Sequence, residues 1–71
     1  MLGKTIKDYL RENGIKQTYL SEETGINQQT LNDMLNGRRR IEATEYMLIC
    51  RALKVSTNFF AEKLGILSVA V

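Results

Sequence analysis

The side chains whose types and spacing could do chemistry lie between positions 28 and 36: Gln28, Gln29, Asn32, Asp33 and Asn36. At about 100° per residue along a helix they form one continuous polar arc, opposite Leu31, Met34 and Leu35. All but Asp33 are carboxamides, and a carboxamide carries a donor and an acceptor side by side, the pair that matches an adenine edge in the major groove. An amide-rich arc is also what an ordinary solvated helix surface looks like, so the arc alone leaves both readings open. Directly after it come Gly37 and Arg38-Arg39-Arg40. Three guanidinium groups beyond a helix end can compensate its negative dipole, or they can grip phosphate oxygens with their rigid forks.

Composition narrows the remaining chemistry. The chain has 71 residues, no histidine, no proline and one cysteine, Cys50. Such a sequence offers no zinc-finger spacing, no Cys/His nucleophilic pair and no internal disulfide. It also lacks a convergent carboxylate pair on one face and a Gly-rich phosphate loop. The expectation is therefore no enzyme activity, no cofactor, no metal site and no small-molecule substrate. No apolar run approaches the roughly 18 residues of a membrane span, and Met1-Leu2-Gly3-Lys4 has no signal-peptide pattern. That predicts a reducing, cytoplasmic location without membrane attachment. Net charge is +2, too small to imply nucleic acid by itself, so the placement of the charges matters more.

The elements that must hold the arc are five short helices. Leu2, Ile6, Tyr9 and Leu10 share one face of a first helix that ends at Asn13-Gly14, with Lys4, Lys7, Asp8 and Arg11 turned away. A second helix opens at Gln17, where Lys16 replaces the more favourable Ser or Thr cap, and stops at Gly25. After the turn Thr24-Gly25-Ile26-Asn27, Asn27 caps the third helix. From about Thr44 to Lys54 the chain is apolar on nearly every side, which predicts a central strut buried on more than one side, with part of it open to a partner subunit. Cys50 falls on its Tyr46/Ile49/Leu53 face and reads as a small core residue. Ser56 or Thr57 caps a fifth helix to about Leu64, its Phe59 and Phe60 reading as core. The apolar tail, residues 65–71, must be covered against its own bundle or a second copy, and a dimer interface with a second copy is the reading favoured.

In this arrangement the chain resembles the Cro/phage-repressor (XRE-type) helix-turn-helix family over roughly residues 3–64. The matching residues are Gln17, Leu20-Ser21, Gly25-Ile26 and Asn36-Gly37, followed by Ile49, Ala52-Leu53, Val55 and Phe60. The second residue of the family's usual Leu-Ala pair is Ser21 here. The resemblance implies an all-α, lambda-repressor-like five-helix bundle spanning one domain, 1–71. It implies a DNA-binding transcriptional regulator, a repressor, that reads palindromic operator DNA as a homodimer with the third helix in the major groove. Gln28, Gln29, Asn32 and Asp33 then fall at base-contacting positions, and a carboxylate there can accept from a cytosine amino group. Gln17, Asn27, Asn36, Arg38, Arg39 and Arg40 fall on the phosphate-contacting set. Two alternatives remain: an antitoxin that autoregulates its operon, and an adaptor that uses the amide arc to dock on protein.

Overall fold

The computed structural model describes residues 2–64. Five helices run through them: α1 (Leu2–Glu12), α2 (Gln17–Thr24), α3 (Gln28–Leu35), α4 (Ala43–Leu53) and α5 (Asn58–Lys63). Each buries at least one side chain in a shared core of Ile6, Leu10, Leu20, Leu31, Met34, Leu35, Ile49, Cys50 and Phe60. The amphipathic spacing of Ile6 and Leu10 brings α1 onto α3 and α5, while α2 packs against both α3 and α4.

Two features of that packing seat α1, the helix against which α3 rests. The first is Gly3, buried at the start of α1. A Cβ there would collide with the carbonyl oxygen of Met34 and stand 3.2 Å from the Leu35 Cα, so α1 rests directly on the backbone at the end of α3. The second is an aromatic cluster that ties α5 to α1: Tyr9 meets Phe59 and Phe60 edge-on, with centroids 5.2 and 5.4 Å apart. Such edge contacts add about 0.5–1.5 kcal/mol beyond simple burial. Tyr46 joins this cluster from α4, its ring 6.4 Å from Phe60 and its hydroxyl donating to the Thr57 carbonyl. Desolvation pushes the Tyr46 phenol up to about 12 and raises the Cys50 thiol above its ordinary range. Cys50 is thus the inert core residue its position suggests.

One expectation needs correcting. The apolar run at 44–54 does not form a strut covered on several sides. Ile49 and Cys50 are buried, but Met47 is 58% exposed and Leu48 40%. Among the described residues α4 packs chiefly on α2, and one neighbouring helix can cover only one stripe of it. The tail, including the predicted stop at Gly65, lies outside the described residues. No helix among them is long and apolar enough to cross a membrane.

Candidate nucleic-acid interface

The turn between α2 and α3 is fastened by short-range bonds. Gly25 takes the left-handed conformation (φ +77°) that a side chain would strain, and its N–H reaches the Ser21 carbonyl at 2.9 Å. Thr24 Oγ1 donates to the Leu20 carbonyl at 2.7 Å and accepts from Ile26 N–H at 3.1 Å. Ser21 Oγ donates to the Ile26 carbonyl at 2.5 Å. The serine that departs from the family's usual alanine is therefore small enough for the close helix approach and also clamps the turn. Asn27 Oδ1 then accepts from Gln29 N–H at 2.7 Å and Thr30 N–H at 3.3 Å, the cap expected from its type.

So started, α3 buries Leu31, Met34 and Leu35 and turns its amide side outward. Gln28, Gln29 and Asn36 are exposed; Asn32 and Asp33 are half-buried. From Gln29 onward the arc is bonded rather than loosely solvated. Gln29 Nε2 donates to Asp33 Oδ1 at 3.3 Å, and Asn36 Nδ2 donates to the Asn32 carbonyl at 2.8 Å and to Asn32 Oδ1 at 3.0 Å. Gln28 has no side-chain hydrogen bond among the described residues.

The basic loop after α3 divides into three different situations. Arg38 Nε pairs with Asp33 Oδ1 at 3.3 Å, and the N–H groups of Arg38 and Arg39 both reach the Asp33 carbonyl. The carboxylate on this face is therefore compensated by its own neighbour. Arg39 Nη1 lies 3.0 and 3.1 Å from the Glu45 carboxylate oxygens, tying the loop to α4. Arg40 is exposed and has no ion pair among the described residues. Glu45 also accepts from the Glu42 N–H at 2.9 Å; that bond first, and then Arg39, holds its carboxyl below the ordinary value.

None of the ten predicted site residues is buried. Side-chain bonds join Gln29, Asp33 and Arg38 in one set and Asn32 and Asn36 in another, and Asn27 sits at the head of the same helix. Gln17 opens α2, where Lys16 makes no side-chain cap, so the first N–H groups of α2 are left for an outside acceptor. It shares no hydrogen bond with the arc. One residue was missed: Lys7 on α1, whose Nζ donates to Asn36 Oδ1 at 2.7 Å. Lys7 stands 29 positions from Asn36, and no local pattern could have joined them. Among the described residues no group of three or more acidic, cysteine or histidine side chains could hold a metal ion.

A capped helix with an outward amide face, a fastened turn before it and a basic loop after it define a small helix-turn-helix DNA-binding domain. The helix-turn-helix family model matches residues 6–60, and the chain belongs to that family, the Cro/phage-repressor (XRE) type. Comparisons with curated proteins and with solved structures returned no match. The protein is accordingly a DNA-binding helix-turn-helix regulator whose partner is double-stranded DNA.

Proposed function

We propose that the protein represses transcription by occupying a palindromic operator as a homodimer, with α3 laid along the major groove. The observation that carries this reading is the outward amide arc on a helix whose opposite face, Leu31, Met34 and Leu35, is locked in the core. Gln28, Gln29 and Asn32 are assigned to base edges, each good contact worth about 1–3 kcal/mol of discrimination. Asp33, compensated by Arg38, stands beside them and is assigned as an acceptor for a cytosine amino group. Gln17, Asn27, Asn36, Arg38, Arg39 and Arg40 are assigned to phosphates, so affinity falls as salt rises. Two copies would read half-sites about 34 Å apart, and occupancy itself would be the regulatory act.

Selection of bound duplexes from a random pool tests this directly. A palindromic consensus with half-sites one helical turn apart is expected. A pool that gains no preference over its starting composition would overturn the reading.

The exposed Met47–Leu48 strip on α4 supports a second reading, an autoregulating antitoxin that covers this strip with its toxin. A stable 1:1 complex with a protein encoded beside it, made in place of a homodimer, would favour that reading.

A further inference from the structure

We infer that two ionic anchors, Lys7 on α1 and the Asp33–Arg38 pair, preset which half of the Asn32 and Gln29 carboxamides on α3 faces DNA. Asn32 is left to present its NH2 donor and Gln29 its carbonyl acceptor. The inference rests on α3 being the base-reading helix, and deepens that reading.

The direction of each amide follows from the polarity of its anchor. A lysine ammonium can only donate, so the Lys7 Nζ, 2.7 Å from Asn36, must meet the carbonyl oxygen Oδ1. That turns Asn36 Nδ2 toward α3, where it donates to Asn32 O and Asn32 Oδ1. With its oxygen engaged, Asn32 keeps its Nδ2 hydrogens for a ligand. At the other anchor a carboxylate can only accept. Asp33 Oδ1, held by Arg38 Nε, takes Gln29 Nε2, and Gln29 Oε1 is left without a partner among the described residues.

In the major groove a donor matches purine N7, guanine O6 or thymine O4, whereas an acceptor matches the amino groups of adenine or cytosine. A two-bond grip on adenine would have Asn32 share an oxygen already accepting from Asn36, or Gln29 share an NH2 already donating to Asp33, so the unshared half of each amide is the one best placed for a base. Gln28, tied to neither anchor, is the arc residue left free to offer both halves. Lys7 is thereby a positioning residue, acting on bases through Asn36 and Asn32.

The test is selection from a random duplex pool by the full chain and by Lys7→Met, Lys7→Arg and Asn32→Ala. Asn32→Ala marks the base position that Asn32 reads. Lys7→Met is expected to lose preference at that same position by about tenfold, the size of one base contact, while other positions hold. Lys7→Arg, which also only donates, keeps it. A Lys7→Met protein that binds every sequence more weakly by one factor, its consensus unchanged, would make Lys7 a phosphate charge only. That overturns the inference and leaves the base-reading helix standing. No consensus from the unaltered chain would remove both.

Discussion

Asn27 serves the backbone before it serves any ligand. Its Oδ1 takes two N–H groups at the head of α3, so Asn27→Ala should lower stability by about 1 kcal/mol, read as a shifted midpoint in urea unfolding. Asn27→Asp keeps the capping oxygen but places a full negative charge beside the DNA. It should retain stability and bind duplex more weakly; unchanged affinity would remove Asn27 from the phosphate set. Glu45 makes a different kind of residue-level prediction. Its carboxyl is held below the usual 4.5 by the Glu42 N–H first and Arg39 next. A depressed folded-state value means that this stabilisation is fully present above the unfolded-state value and is lost as pH falls through the folded one. The stability gap between the native chain and Glu45→Gln should therefore be open at pH 7 and narrow below pH 4.5. Thermal unfolding across that range measures it, and a gap independent of pH would show that the charge is not what Glu45 contributes.

At the scale of elements, α2 and α3 are eight residues each, shorter than the roughly 12–15 an isolated helix needs. They persist because neighbouring helices hold them. Gly3→Ala would set a methyl against the Met34 carbonyl oxygen and the Leu35 backbone, separating α1 from α3 at a cost of about 1–3 kcal/mol. An effect under about 0.5 kcal/mol, the size of an ordinary surface substitution, would mean that α1 slides aside freely. The loop after α3 gives a paired prediction. Arg40→Ala should flatten the salt dependence of DNA binding by about one phosphate contact and leave stability unchanged. Arg39→Ala should cost stability as well, through the lost Glu45 pair; equal effects of the two would refute the division. The same contrast explains what the sequence made legible. The helix-turn-helix could be read because its signals are local: Gly25 beside Asn27, and Leu31, Met34 and Leu35 at helical spacing. The seating of α1 on α3 through Gly3 and the Lys7–Asn36 bond join distant positions and leave no local trace. The end of α4 carries no glycine signal either, since Lys54 itself takes the left-handed conformation at φ +60°. How much of α4 its own bundle leaves open could not be read, because an apolar run does not say how many neighbours will cover it.

For the whole molecule, the proposed homodimer needs a face, and the apolar strip of Met47 and Leu48 on α4 is one the described residues offer. Tyr19, 44% exposed on the neighbouring α2, extends the exposed apolar surface. The strip and the amide arc belong to different helices, α4 and α3, so pairing through one need not consume the other. A Met47→Ser/Leu48→Ser double variant should sediment as a monomer at concentrations where the native chain is a dimer. Its folding should be undisturbed, because neither side chain is in the core. Binding to an isolated half-site should survive, whereas binding to a full palindrome should fall by about a hundredfold or more, because the second half-site is no longer filled at the high effective concentration that a linked copy provides. A double variant that still dimerises would move the interface elsewhere. A native chain that is monomeric yet reads a palindrome would mean that the operator itself pairs the two copies.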